Sequence, residues 1–389
     1  MRIGIVAGEA SGDLLAASLM QAIQARVPGV EFEGIAGPRM QQLGCRVMYP
    51  SEKLAVMGIT EVLGRLRELL RIRRDVARRF IADPPDVFIG VDAPDFNLGL
   101  ERKLKTRGIP TVHFVSPSVW AWRKYRVKKI ARSTDLVLCL FPFEEQFYAQ
   151  YGVAARYVGH PLADMIPLDN DTHAARAKLG LAPEGEIIAI LPGSRGMEVQ
   201  NLGPEFVRTA AWILQRRPGT RFITPVASAK TRALFHEILA QHRGELPLML
   251  IDGQSHEAMA AADVVLLASG TAALEAMLLK KPMVVAYRVS KLSEFLLRRM
   301  ISVPYYSLPN LLAGTKIVDE FVQDEVRADH LGRHILAFLE EPERAQALQA
   351  RFRDIHVQLR CGAAQQAADA VLELAGNNAK ATHPSGAGY

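Results

Sequence analysis

Four short stretches of this sequence carry residue types that can do chemistry, and each follows an apolar run. The first is Gly8-Glu-Ala-Ser-Gly-Asp13. Small residues there let the backbone turn sharply into a helix whose first N–H groups can meet an anion. Ser11 or Asp13 can equally be a plain helix cap with no ligand, a reading that leaves Glu9 without a role. The second stretch, Val91-Asp-Ala-Pro-Asp-Phe96, sets two carboxylates at the end of the apolar Val87–Val91. Asp92 or Asp95 can take a proton from an attacking hydroxyl as a general base. Asp95, just before Phe96-Asn97-Leu98, suits a helix cap, which leaves Asp92 for chemistry.

The third stretch is Leu191-Pro-Gly-Ser-Arg-Gly196. Gly193 and Ser194 can bring backbone and hydroxyl donors to a diphosphate, and Arg195 can pair with it bidentately. The fourth is Ala268-Ser-Gly-Thr-Ala-Ala-Leu-Glu275. Gly270, Thr271 and Ala272 start a helix whose amides face phosphates, and Glu275, one turn on, can hold ribose hydroxyls. One Gly-rich turn is weak evidence. Two in one domain, with an arginine and a glutamate in register, describe a nucleotide-sugar site. The G-x-G-x-x-G spacing of a dinucleotide fold and the G-x-x-x-x-G-K-[ST] of a P-loop are both missing, which argues against a dehydrogenase and a P-loop NTPase.

The elements that must position these loops alternate. Apolar runs at Ile3–Ala7, Glu31–Ile35, Val87–Val91, Thr111–Val115, Leu136–Leu140 and Arg156–Val158 read as strands, with helical stretches at Leu14–Arg26, Arg65–Ala82, Leu98–Arg107 and Arg123–Arg132 between them. From Pro161 to Gly185 no period is evident, and prolines and glycines suggest a linker. The alternation restarts with strands at Ile187–Leu191, Arg221–Pro225, Leu248–Ile251, Val264–Leu267 and Met283–Tyr287. The expected class is α/β with two parallel-sheet domains and a cleft at their strand ends. We place an N-terminal domain at 1–165, a second at 166–345, C-terminal helices at 346–376 and a disordered tail at 377–389.

The chain of 389 residues suits two such domains. Its net charge of +6 favours an anionic partner without choosing among lipid, phosphate and nucleic acid. Cys45, Cys139 and Cys361 form no C-x-x-C pair, so neither a zinc ribbon nor a dithiol site is suggested. Met1–Ala7 is too short for a signal peptide. No apolar run approaches the roughly 18–20 residues that span a bilayer. A cytoplasmic chain with at most peripheral membrane contact is the expectation.

Taken in order, Gly8–Asp13, Asp92–Phe96, Ser116-Pro-Ser-Val-Trp-Ala-Trp122, Val158-Gly-His-Pro161, Leu191–Arg195, Ser269–Glu275 and Ser307-Leu-Pro-Asn310 resemble the lipid-A-disaccharide synthases from residue 3 to about 360. The resemblance implies a GT-B architecture, two Rossmann-like domains facing across a cleft. It implies an inverting transfer from UDP-2,3-diacylglucosamine to 2,3-diacylglucosamine 1-phosphate, giving a β-1,6-linked disaccharide 1-phosphate and UDP. Asp92 then matches the base, Arg195 the diphosphate partner, Glu9 the acceptor-orienting group, and Asn310 a donor or nucleotide contact. No cofactor and no metal are expected: no Asp-x-Asp triplet sits on a suitable loop, and His330 and His334 read as a solvated helix face. A UDP-N-acetylglucosamine 2-epimerase is the nearest rival, and a non-catalytic sugar-binding protein the next.

Acylated substrates imply a membrane, and the sequence offers a surface. Leu66, Leu69, Leu70, Val76, Ala77 and Phe80 fall near one helical stripe, while Arg65, Arg67, Arg71, Arg73, Arg74, Arg78 and Arg79 crowd the remainder. Such a helix suits the anionic surface of the inner membrane, with Met57, Ile59, Val62 and Leu63 extending the apolar patch. A core-packed helix with a charged outer face is the competing reading. Trp120, Trp122, Arg123, Lys124, Tyr125, Arg126, Lys128 and Lys129 form a second basic-aromatic cluster, but no nucleic-acid motif accompanies either patch. Leu292–Met300 and the C-terminal helices can serve a homodimer or pack within the chain.

Overall fold

The computed structural model describes residues 1–54, 59–121, 124–242, 244–289 and 303–382, with backbone alone for 59–63, 124 and 378–382. The chain divides into two compact units. One comprises Met1–Asp164 and the chain from Leu359 onward; the other is Met165–Gln358.

The first unit is built on seven parallel strands: β1 (Arg2–Ala7), β2 (Glu31–Ala36), β3 (Arg46–Pro50), β4 (Val87–Val91), β5 (Thr111–Phe114), β6 (Leu136–Cys139) and β7 (Ala155–Tyr157). Their order is β3-β2-β1-β4-β5-β6-β7. A parallel sheet is covered on each face, so its central strands read as unbroken apolar runs; every residue of β4 is buried. Ile3 and Ile5 pack with Leu19, Met20 and Ile23 of the helix Ala10–Arg26 and with Ala367 and Val371 of the helix Ala363–Thr382. On the opposite face Val6 and Phe88 pack with Val76 and Phe80 of the helix Ile59–Ala82 and with Leu100 and Leu104.

The second unit has six parallel strands: β8 (Ile187–Leu191), β9 (Arg221–Val226), β10 (Leu248–Asp252), β11 (Val264–Ala268), β12 (Met283–Tyr287) and β13 (Asp319–Val322), in the order β10-β9-β8-β11-β12-β13. In each sheet the strand order reverses once, at β1/β4 and at β8/β11. Ala7 pairs with Val91, and Leu191 with Leu267. Loops leaving two such strands diverge and open a crevice at the carboxyl ends. All four chemistry-bearing stretches emerge at these two points.

Several expectations need correction. The segment 161–185 is no bare linker: it holds the helices Pro161–Met165 and Thr172–Lys178. Arg176 in the latter is buried and donates to both oxygens of Asp263 at 3.1 and 2.9 Å. Strands β3 and β13 escaped the sequence reading because none of their residues is buried and their apolar stretches, Val47–Tyr49 and Phe321–Val322, are short. The helix expected from Arg123 spans Val127–Ser133. The closing helices are not one group. Pro342–Leu359 lies almost wholly within the second unit, whereas Ala363–Thr382 packs on the first and continues past Asn377. Leu292–Met300 lies outside the described residues.

Candidate active site

In the first unit a recess of about 390 Å³ opens beside the β1/β4 switch point. Leu54, Leu66, Leu69 and Leu70 form its apolar wall, and Glu9, Asp92 and Asp95 supply its acidic end. Asp92 and Ala93 are consecutive non-glycine residues in the left-handed region, with φ of 51° and 43°. Such backbone persists only where the surroundings hold it. Asp92 N–H donates to Phe114 O at 2.8 Å, and the buried Asn97 donates from Nδ2 to Asp92 O at 2.8 Å. A Cβ on Gly8 would sit 3.0 Å from Ala93 Cβ, so the loop after β1 touches the loop after β4 and has no room for a larger residue.

The structure corrects the two capping assignments. The helix Pro94–Lys105 begins after Ala93 with no side-chain cap; Asp95 lies inside its first turn, largely exposed, in an ion pair with Arg126. Asp13 is buried, and its carboxylate accepts from the N–H groups of Arg39 at 3.0 Å and Met40 at 3.2 Å. It therefore anchors the helix Pro38–Gln42 and does not line the recess. Gly12 is buried, Ser11 is exposed, and the N-cap of the first helix is Glu9, with no side-chain hydrogen bond.

In the second unit a recess of about 350 Å³ gathers Gly193, Ser194 and Arg195 with Gly270, Thr271, Ala272 and Glu275. The helix Thr271–Leu278 has no side-chain cap, and the first amides of any helix lack an intrahelical carbonyl, so they are free for an anion. Burial raises the pKa of Glu275, against the opposing charge of His256, whose Nε2 lies 4.0 Å away. Here too one expectation shifts. The amides of Ser194 and Arg195 already donate to Glu198 Oε2 at 3.0 and 3.2 Å, whereas the Arg195 guanidinium, 3.6 Å from Glu198 Oε1, is largely exposed and can turn to an anion. Gly193 has φ of 126°, and a Cβ there would fall 2.4 Å from Glu198 Cβ.

Asn310 is not in this recess. It is fully buried: its Oδ1 accepts from Ile317 N at 2.7 Å and Val318 N at 2.9 Å, and its Nδ2 donates to Val318 O and Glu320 Oε1. With its donors and acceptor engaged, it has nothing left for a nucleotide. Other residues escaped the sequence reading. Glu144, fully buried, accepts from Trp120 Nε1 at 2.9 Å and from the Leu140 and Phe141 amides, fixing the loop after β5. Glu101 Oε1 lies 2.7 Å from His113 Nδ1 under β4, where Gly90 leaves the space.

The arginine-rich helix Ile59–Ala82 splits along its length. Val76, Ala77 and Phe80 are core, as the competing reading held, whereas Leu66 and Leu70 are 43% and 41% exposed and Leu69 lines the recess. Arg79 pairs with Glu33 at 2.8 Å, Arg65 with Glu68 at 3.2 Å and Arg71 with Asp75 at 3.8 Å. Arg73 lies against Gly99, and Arg67 is exposed without an ion pair among the described residues. Met57 lies outside the described residues, as do Trp122, Arg123 and the side chains of Val62, Leu63 and Lys124. Among the described residues no helix is long and apolar enough to cross a membrane. His334 Nδ1 is 2.6 Å from Asp319.

Two Rossmann-like units, each with its site loops at the strand-order reversal, define the GT-B fold of glycosyltransferases. The UDP-GlcNAc 2-epimerase of Neisseria meningitidis superposes with a TM-score of 0.63 at 12% identity, covering 96% of this chain and 99% of that one. A calicheamicin glycosyltransferase superposes with a TM-score of 0.59 at 14% identity, covering 97% and 98%. At such identities the likeness is one of fold. Sequence goes further: the lipid-A-disaccharide synthetase family model matches residues 3–371, and this chain belongs to that family. The lipid-A-disaccharide synthases of Salmonella typhimurium and Salmonella paratyphi A are each 52% identical to it over 375 residues, covering 96% of this chain and 98% of theirs. The chain is thus a glycosyltransferase that forms the lipid A disaccharide.

Proposed function

We propose that the enzyme condenses UDP-2,3-diacylglucosamine with 2,3-diacylglucosamine 1-phosphate, with inversion at the donor carbon. The observation that carries this reading is the first recess, where Asp92 and Glu9 stand at the acidic end of a wall made by Leu54, Leu66, Leu69 and Leu70. An acylated sugar needs that combination: aliphatic surface for the chain, and a carboxylate beside the hydroxyl that must lose its proton. In the proposed step the acceptor's 6-oxygen attacks donor C1 and its proton passes to Asp92. The C1–phosphate bond breaks, and UDP leaves with the electron pair. Glu9 orients the acceptor. Arg195 and the amides at Gly270, Thr271 and Ala272 receive the charge that grows on the diphosphate, and Glu275 holds the ribose. A single displacement turns an α-linked donor into a β-1,6-linked product.

The first unit is accordingly the acceptor half and the second the nucleotide half. We further propose that the exposed Leu66 and Leu70, with Arg67 and Arg73 nearby, rest on the anionic inner surface of the membrane that supplies both lipids. A transfer assay with the two acylated glucosamines, with and without detergent, tests the whole. Formation of UDP and the tetraacyl disaccharide is expected, and Asp92→Asn should retain UDP binding while losing nearly all transfer. Conversion of UDP-N-acetylglucosamine alone to an epimer would overturn the reading.

A further inference from the structure

We infer that Asn97 is the positioning residue that sets the Asp92 carboxylate, by holding the left-handed turn on which it stands. The inference rests on the proposal that Asp92 is the base.

Three carbonyls surround the Asn97 amide nitrogen: Asp92 O at 2.8 Å, Val91 O at 3.3 Å and Val6 O at 3.5 Å. That company fixes which end of the amide carries the hydrogens, since an oxygen there would face three oxygens. Val6 belongs to β1 and Val91 to β4, so one side chain ties the ends of both strands from which the Glu9 and Asp92 loops leave. Asn97 lies on the first turns of the helix Pro94–Lys105 and is fully buried. Gly90 makes its close approach possible: a Cβ there would come within 3.0 Å of Asn97 Cβ and Cγ.

The other end of the amide is telling. Asn97 Oδ1 is buried and has no hydrogen-bond partner among the described residues. An unmatched buried carbonyl is costly, and an aliphatic residue of the same size would avoid that cost. What the asparagine contributes is therefore its donors, and the nearest acceptor is the carbonyl of Asp92 itself. Asp92 and Ala93 adopt positive φ without being glycine, and backbone of that kind relaxes unless neighbouring groups determine it. Without the amide the turn relaxes, and the carboxylate moves relative to the acceptor hydroxyl. A displacement of about 1 Å at a reacting group costs on the order of 100-fold in rate.

The test compares Asn97→Ala, the isosteric Asn97→Leu and Asn97→Asp, alone and with Asp92→Asn, using UDP and the two acylated glucosamines. The expected result for the single variants is a kcat lower by on the order of 100-fold, with acceptor KM and UDP Kd within a factor of about two of the parent. In the Asp92→Asn background the Asn97 substitutions should change the residual rate no further, because the group they position is gone. A multiplicative loss in that background, or a near-normal kcat in folded single variants, overturns the inference. So does failure of all three variants to fold into a UDP-binding protein, which would make Asn97 a purely structural residue. Near-normal transfer by Asp92→Asn alone would instead overturn the assignment of the base, a separate outcome.

Discussion

Asn310 Nδ2 donates to Glu320 Oε1 at 2.8 Å, and the same carboxylate oxygen accepts from Ser307 N at 2.8 Å. Ser307-Leu-Pro-Asn310 is thus a clamp that folds its own loop around an acidic side chain. Asn310→Ala should lower the stability of the second unit by about 2–4 kcal/mol, because it leaves buried groups of Val318 and Glu320 unmatched. Thermal unfolding checks this. UDP affinity at a temperature where the variant is folded should stay within a factor of about two. A selective loss of UDP binding with unchanged stability would return Asn310 to the ligand site.

Among the described residues Arg195 makes its only ion pair to Glu198, at 3.6 Å, and its side chain is 84% exposed. It should therefore tolerate substitution without loss of fold. If it meets the diphosphate, Arg195→Ala forfeits a charge-assisted hydrogen bond of about 1.5–3 kcal/mol, or roughly a 10- to 100-fold rise in UDP Kd. Calorimetric titration with UDP measures it. An unchanged Kd with an unchanged kcat would remove Arg195 from the site.

Burial places two groups of the first unit on opposite sides of their ordinary range. Glu144 is pushed up from 4.5 to about 7, despite the hydrogen bonds it accepts, and His160 is pushed down from 6.5 to about 4. Between pH 4.5 and about 7 the folded chain holds a proton on Glu144 that the unfolded chain has released. The stability this gives is present at low pH and is lost as pH rises through 7. Between pH 4 and 6.5 the unfolded chain holds a proton that His160 lacks when folded, so this contribution falls as pH drops through that window. Urea denaturation across pH 5–8 should show stability rising more steeply with pH in Glu144→Gln than in the parent, and less steeply in His160→Gln below pH 6.5. Parallel curves for Glu144→Gln and the parent would contradict the buried carboxyl.

Leu66 and Leu70 stand a turn apart and are each more than two-fifths exposed. Their replacement by aspartate should change the free energy of unfolding by no more than about 0.5 kcal/mol each, as for surface sites. Sedimentation with vesicles containing anionic lipid should show much weaker binding of Leu66→Asp/Leu70→Asp, and added salt should weaken the parent's binding. Retention of full vesicle binding by the double variant would place any membrane contact elsewhere.

The amino-acid sequence by itself determined the alternation of strands and helices, the position of all four site loops and their order along the chain. These follow from local causes. A strand buried on both faces must be apolar throughout, and a backbone that turns sharply into a helix needs small residues; Val87–Val91 followed by Asp92, and Leu191 followed by Pro192 and Gly193, show each rule within a few residues. Tertiary structure decided how each polar group is used. Asp13 and Asn310 look in sequence like ligands for a sugar nucleotide, yet they meet the amides of Arg39 and Val318. The helix Ala363–Thr382 shows an apolar face in sequence but not its partner, which proves to be the β1 side of the first sheet. A side chain's type fixes how many hydrogen bonds or apolar contacts it can make, whereas only the folded chain brings up the distant groups that take them.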